Sequence, residues 1–338
     1  MSKATAPLTV IFPERLIECG GYALGLDVGG TKMLAGLVTS EGDLIHTWRQ
    51  GTSRRDVLNG ILNFLDDVLG SLEPLEQEML VGIGVSTAGR VNWHSGVIEY
   101  ATPNLPGWSG THVKEILTRS FRLPVCVDND GNAAAYGEYW CGSGQSVPNL
   151  AVLTLGTGVG GGIVLGGQVI RGSRGGGGEL GHLVIEKNGR PCNCGQRGCL
   201  EAYASGTALV ERAKECGAWE NPTSYTVFEA AEQGHGVAQK LIEELCEGLA
   251  LGILNILNFT DPDLILLGGG LSSTGESWLP LLRQKVGEHL GENSKNMEGK
   301  KFWNPETVQL AQLGEQAGMI GAAGEVLARF GFSGFQNI

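Results

Sequence analysis

At 338 residues the chain is longer than one hydrophobic core usually serves, so two lobes are expected. Its 36 acidic and 24 basic residues leave a formal charge of −12, which opposes nonspecific nucleic-acid binding, and no Lys/Arg-rich stripe runs against that balance. No apolar stretch is long enough to span a membrane and the first twenty residues lack the basic start and apolar centre of a signal peptide, so a cytoplasmic protein with reduced thiols is expected.

Glycine, at 55 residues, is the compositional outlier, and it falls in clusters between apolar runs. Residues 23–29 read as a buried strand, Gly29-Gly30-Thr31-Lys32 as a tight turn, and 33–38 as a second strand that turns again at 40–43. Helical periodicity follows at 54–70 and 109–120, then an apolar strand from Val125 runs into a helix over 131–140. The opening pattern recurs 127 positions on: a strand at 150–155, a turn at Gly156-Thr157-Gly158-Val159-Gly160, and a strand at 161–165. Helices are expected at 200–216, 235–258 and 316–330, and the strand 263–267 ends in Gly268-Gly269-Gly270. Two strand–glycine turn–strand hairpins suggest a duplicated α/β lobe with a ligand held between the copies.

Residues without a Cβ let main-chain N–H groups converge on an anion and let it come close to the backbone. Either glycine turn could equally be an ordinary hairpin connection. Gly268-Gly269-Gly270, at a strand's carboxyl end, suits an adenine or ribose, or a plain strand exit. Asp130, where an apolar strand gives way to a helix, could take a proton from a substrate hydroxyl or simply cap the helix. Asp27 ends the first strand, as a turn former or as a carboxylate orienting magnesium and its water.

Cys192, Cys194 and Cys199 lie within eight residues, too tight for a disulfide framework but suited to thiolates on one soft metal ion, with His182 as a nitrogen fourth ligand. A zinc closed by four protein ligands has no position for water, so it would shape the loop carrying Glu179 and Glu201 and do no chemistry itself. The other reading is three reduced thiols in a turn. Cys19, Cys126, Cys141, Cys216 and Cys246 are scattered without pattern.

With these residues assembled, the chain resembles the ROK family of sugar kinases and related regulators from Ala23 to about Arg329. The motifs that carry the likeness are Leu26-Asp27-Val28-Gly29-Gly30-Thr31-Lys32, the region Leu155–His182, Cys192-Asn193-Cys194-Gly195-Gln196-Arg197-Gly198-Cys199-Leu200-Glu201, and Gly268-Gly269-Gly270. The resemblance implies an α/β fold of duplicated actin/hexokinase-like (ribonuclease H-like) ATPase lobes with an interlobe cleft. Its small lobe would cover 22–130, completed by a C-terminal helix at 318–334, and its larger lobe 131–317. It also implies transfer of phosphate from ATP, with Mg2+, to a hexose 6-hydroxyl. Asp130 would be the base, and Asn104, Asn129, Glu179, His182 and Glu201 would hold the other hydroxyls. Asp27, Gly29, Gly30, Thr31, Lys32, Gly156, Thr157, Gly158 and Gly268–Gly270 would hold the nucleotide. His182 would serve both the structural Zn2+ and the sugar.

Gly178-Glu179-Leu180-Gly181-His182 and the 103–108 loop resemble glucokinases of that family, so glucose is the first substrate expected. Thr87-Ala88-Gly89 departs from the Ala-Pro-Gly of many of them, and Ser86–Asn92 is more similar to N-acetylmannosamine kinases. The family's regulators add an N-terminal helix-turn-helix, for which the 22 residues before the first strand are too few. A homodimer is the expected assembly.

Overall fold

The computed structural model describes residues 21–53, 55–101, 105–291 and 303–331. The described residues up to Asn129, with those from Met319 onward, form one unit, and Asp130–Gly318 form the other.

In the first unit, β1 (Tyr22–Val28) and β2 (Lys32–Thr39) pair antiparallel across the first glycine turn. β3 (Leu44–Gly51) pairs with β2 and, as an edge strand, leaves most of its side chains accessible. Asp56 caps α1 (Val57–Ser71), accepting from the Asn59 amide at 3.0 Å, so that helix starts three residues later than its periodicity suggests. A short α2 (Pro74–Glu78) leads into β4 (Leu80–Thr87), which is buried along its whole length and pairs parallel with β1. The small hairpin β5 (Arg90–Asn92) and β6 (Val97–Tyr100) follows, then α3 (Val113–Phe121) and β7 (Val125–Asn129), parallel to β4. α3 begins late because 109–112 is spent against β6: the Gly110 amide bonds Ile98 O, and the Ile98 amide bonds Thr111 O.

The second unit opens with α4 (Asp130–Cys141) and repeats the hairpin as β8 (Leu150–Leu155) and β9 (Val159–Leu165), extended by β10 (Gln168–Val169). The expected helix over 200–216 is two, α5 (Glu201–Ala204) and α6 (Gly206–Glu215). Ser205 takes extended backbone between them, and its hydroxyl oxygen caps α6 by accepting from the Ala208 amide at 3.0 Å. Then come α7 (Ser224–Glu232), α8 (Gly236–Thr260), β11 (Leu264–Gly268), α9 (Gly275–Leu290) and β12 (Val308–Leu310). The closing helix, α10 (Ala317–Phe330), carries the chain back into the first unit.

The two sheets share one plan. Their orders are β3-β2-β1-β4-β7 and β10-β9-β8-β11-β12, each an antiparallel trio continued by two parallel strands. Each sheet also takes one helix almost directly onto its backbone. In the first, α10 rests on Gly25 and Gly84; in the second, α4 rests on β9, where Cβ atoms on Gly131 and Gly162 would lie 2.1 and 2.4 Å from carbonyl oxygens of Gly161 and Gly131. Leu24, Leu26, Ile83 and Val85 pack with Ile61 and Leu65 of α1 in the first core; Leu153, Leu155 and Ile265 pack with Leu245, Leu249 and Ile253 of α8 in the second. Among the described residues no helix is long and apolar enough to cross a membrane.

Candidate functional site

Parallel strands align their carboxyl ends, and that alignment collects polar side chains at one edge of the first sheet. Asp27, Ser86 and Asp128 stand in register on β1, β4 and β7, with Val28, Thr87 and Asn129 in the next row. The Ser86 hydroxyl donates to Asp27 Oδ1 at 2.6 Å, fixing the carboxylate beside the glycine turn. That turn is pinned from behind: the Gly29 amide bonds Lys32 O at 3.0 Å, while Thr52 gives its hydroxyl to Gly29 O at 2.7 Å and its amide to Thr31 O at 3.0 Å. Asn129 Nδ2 donates to Gly89 O at 3.0 Å, and the buried Trp108 indole donates to Thr87 Oγ1 at 2.9 Å. Asn104 and Pro103 lie outside the described residues.

The chain leaves the first unit at Asn129 and enters the second at Asp130. Asp130 is exposed as the first residue of α4, and its Oδ1 accepts from the Gly131 amide at 2.9 Å.

In the second unit, adjacent strands carry two of the glycine clusters to one edge, since Leu267 pairs with Leu153 and Gly268 with Thr154. Gly269 takes φ 82°, and a Cβ there would fall 2.5 Å from Leu155 O, so only glycine lets the two turns approach. The Gly156–Gly158 turn closes on itself through the Gly156 amide and Gly158 O at 3.0 Å. Its other carbonyls face the start of α6: Gly206 N donates to Gly156 O at 2.8 Å, and the Thr207 amide and hydroxyl reach Thr157 O at 3.3 and 2.7 Å.

The cysteine loop folds as two facing arms. Val184 bridges Cys199, Pro191 bridges Arg197, and the Leu200 amide bonds Leu183 O at 2.8 Å. Gly198, at φ 80°, lets the arms close, since a Cβ would stand 1.8 Å from Glu186 O. The result gathers His182, Cys192, Cys194 and Cys199, whose ligand atoms all lie within 4.8 Å of one another. Cys194 Sγ and Cys199 Sγ are 3.7 Å apart, as are Cys192 Sγ and His182 Nδ1. Zn–S bonds of about 2.3 Å in a tetrahedron require sulfurs about 3.8 Å apart, so the four residues fit zinc. Burial pushes the Cys192 thiol up to about 12 and raises Cys199 as well. A bound dication reverses that preference by stabilising the thiolates.

Glu179 caps the short 3-10 turn Leu180–His182 and accepts the His182 amide on its carbonyl at 3.1 Å. Glu201, the first residue of α5, uses both carboxylate oxygens: Oε1 lies 3.6 Å from Cys192 Sγ, and Oε2 accepts the Val159 amide at 3.0 Å. Gly158 makes room for it, since a Cβ there would sit 2.3 Å from Oε2. The second unit thus brings together His182, Glu201, the three cysteines and the Gly156 turn. Sequence reasoning gave no part to Thr52 and Thr207, which hold the turns, to Ser86, which fixes Asp27, or to Ser205, which caps α6. Ser205 alone left a signal, as an N-cap type inside an expected helix.

The sequence model of the ROK family matches residues 23–329. A glucokinase from Halalkalibacterium halodurans is 34% identical over 319 residues, spanning 89% of this chain and 93% of that protein. The crystal structure of a ROK hexokinase from Thermus thermophilus superposes with a TM-score of 0.77 at 32% identity, covering 90% of this chain and 97% of that one. A ROK family glucokinase from Streptomyces griseus, solved with glucose and AMPPNP, gives a TM-score of 0.76 at 33% identity, covering 90% and 98%. The actin/hexokinase-like fold expected from the sequence is therefore the one found.

Proposed function

The chain belongs to the ROK family, and from that premise we propose that it transfers the γ-phosphoryl group of ATP to the 6-hydroxyl of a hexose, glucose first. The observation that carries this reading is the convergence of His182 and Glu201 on the metal-ligand cluster beside the Gly156 turn. Sugar ligands and a candidate phosphate turn are thereby built from one stretch of chain.

Phosphoryl transfer has a loose transition state, so positioning and charge neutralisation supply most of the barrier reduction. Asp130 accepts the proton of the 6-hydroxyl. Asn104, Asn129, Glu179, His182 and Glu201 hold the remaining hydroxyls, and a wrong isomer leaves one of them buried without its partner. His182 presents Nδ1 to the cysteines, which leaves Nε2 for the sugar. The turns Gly29–Thr31 and Gly156–Gly158 receive the phosphates on the amides of Gly30, Thr31, Thr157 and Gly158, those of Gly29 and Gly156 being bonded within the turns; Lys32 adds positive charge, and Gly268–Gly270 flanks the nucleoside. Magnesium bound with ATP would supply positive charge at the phosphates, and Asp27 is the carboxylate that would orient its water; His182, Cys192, Cys194 and Cys199 would hold zinc, which would fix the loop.

A second reading, an N-acetylhexosamine as substrate, is favoured by one feature. Thr87 and Ala88, where the segment departs from many glucokinases, run directly into Gly89, whose carbonyl accepts from Asn129, and Thr87 itself accepts from Trp108, so the departure adjoins a sugar-holding residue. We expect a cytoplasmic homodimer, which sedimentation would check. The function is tested by ADP release with glucose, mannose, fructose, allose, N-acetylglucosamine and N-acetylmannosamine. Turnover on glucose above all others supports the first reading, and a preference for an acetylated sugar the second. Sugar binding without ADP release would make the chain a sugar sensor instead.

A further inference from the structure

We propose that Glu201 is a positioning residue through which the metal cluster sets the geometry of the nucleotide-binding turn, so that metal and nucleotide bind cooperatively even without sugar. The inference rests on the phosphoryl-transfer reading of the Gly156–Gly158 turn and deepens it.

The strap formed by residues 199–207 is the physical link. It begins at Cys199, a metal ligand, and ends on Thr207 in the first turn of α6. Along the way it makes four hydrogen bonds to residues 156–159: Glu201 Oε2 to the Val159 amide, Gly206 N to Gly156 O, and Thr207 N and Oγ1 to Thr157 O. These bonds fix both ends of the turn, leaving little freedom for the amides between them. The carboxylate that holds Val159 places its other oxygen 3.6 Å from Cys192 Sγ. Val159 is gripped on its far side as well, because Gly181, next to the ligand His182, packs so closely that a Cβ there would be 1.8 Å from Val159 O. Leu200, 0% exposed, anchors the strap between the two contacts.

A site held on both sides of Val159 cannot shift at the cysteines without moving the turn. When the metal is absent, nothing ties Cys192, Cys194 and Cys199 to one another, the loop gains freedom, and Glu201, two residues beyond Cys199, holds the Val159 amide less firmly. The nucleotide then binds a turn that must first be ordered. Linkage makes the effect reciprocal: whatever factor zinc contributes to nucleotide affinity, the nucleotide contributes to zinc affinity.

The test is zinc retention against a chromogenic chelator, with the full chain, in the absence of sugar and with or without AMPPNP. AMPPNP is expected to raise the chelator concentration needed to strip the zinc by about tenfold, within the usual range of such couplings. In Glu201→Gln, whose neutral amide cannot serve the cluster and Val159 in the same way, the AMPPNP effect should fall below about twofold. Thr207→Val leaves every metal ligand in place; it should keep glucose affinity and zinc content while weakening AMPPNP about three- to tenfold, the worth of one hydrogen bond. Zinc retention indifferent to AMPPNP in the unaltered protein, or equally sensitive in Glu201→Gln, overturns the coupling and leaves the kinase reading standing. Failure of the zinc-loaded protein to bind AMPPNP at all overturns both. Should Glu201→Gln not fold, the Thr207→Val split between nucleotide and glucose affinity decides alone.

Discussion

Gly84 faces Ala322 so closely that a Cβ on the glycine would stand 1.9 Å from the alanine's carbonyl oxygen. The neighbouring strand repeats the relationship, Gly25 against Met319 O at 2.0 Å, so the backbone of α10 lies directly on β1 and β4. Overfilling such a contact must push the helix off the sheet. Gly84→Ala is expected to destabilise the protein by about 3 kcal/mol, the upper range for overpacking. Gly70→Ala is the control, because Gly70 lies in α1 with nothing within 4 Å of its Cβ direction. That change should stabilise by about 0.5–1 kcal/mol. Thermal unfolding of the two variants side by side gives opposite shifts, and a neutral Gly84→Ala would refute the packing argument.

Asp130→Asn keeps the shape of the residue at the head of α4 and removes its basicity. If the carboxylate accepts the hydroxyl proton, turnover should fall about 10²- to 10⁴-fold with sugar affinity nearly unchanged. Steady-state kinetics with calorimetric sugar binding separate the two quantities. Near-normal turnover would leave Asp130 as a helix-start residue only.

Cys194→Ser removes a sulfur that lies 3.7 Å from that of Cys199. The variant should lose its equivalent of zinc by elemental analysis, and the arms at 183–200 should become sensitive to proteolysis. Unaltered zinc content would count against the cluster as a metal site.

Much of this was legible in the sequence because it depends on local pattern. The β1–β2 and β8–β9 hairpins announce themselves as apolar runs broken by glycine, and the cysteine spacing names its chemistry. What escaped is what depends on distant partners. α9 contains Pro280, which argues against a helix interior, yet buried Trp278, Leu279, Leu282 and Val286 hold it together. α7 is short, and its start rests on Thr223 and Thr226 capping each other. β4 is buried on both faces and so shows no alternation to read. At the candidate site the residue types were visible, but not their fastening: nothing local says that Ser86 bonds Asp27 across 59 positions or that Glu201 reaches Val159.

Acid should act on the outer side of the cysteine loop. Arg190 and Arg212 converge on Glu215, and their hydrogen bonds hold its carboxyl at about 2. A depressed carboxyl contributes stability above its ordinary value near 4.5, lost as pH falls toward about 2. Glu215 is exposed, so screening limits its interaction with the two arginines to at most about 1 kcal/mol. Glu215→Gln should therefore be slightly less stable than the parent at pH 7, with the gap closing as pH falls from 5 to 3. Denaturation midpoints at those pH values check the sign; a gap that widens in acid would exclude this carboxylate as its source.

The return of α10 to the first sheet also orders events on the ribosome. A nascent chain makes β1, β2, β4 and β7 first, but the helix that covers Gly25 and Gly84 is translated only after the whole second unit. The unit synthesised first must therefore wait, one sheet face uncovered, for the last helix to emerge, and it is the one that most needs shelter during translation.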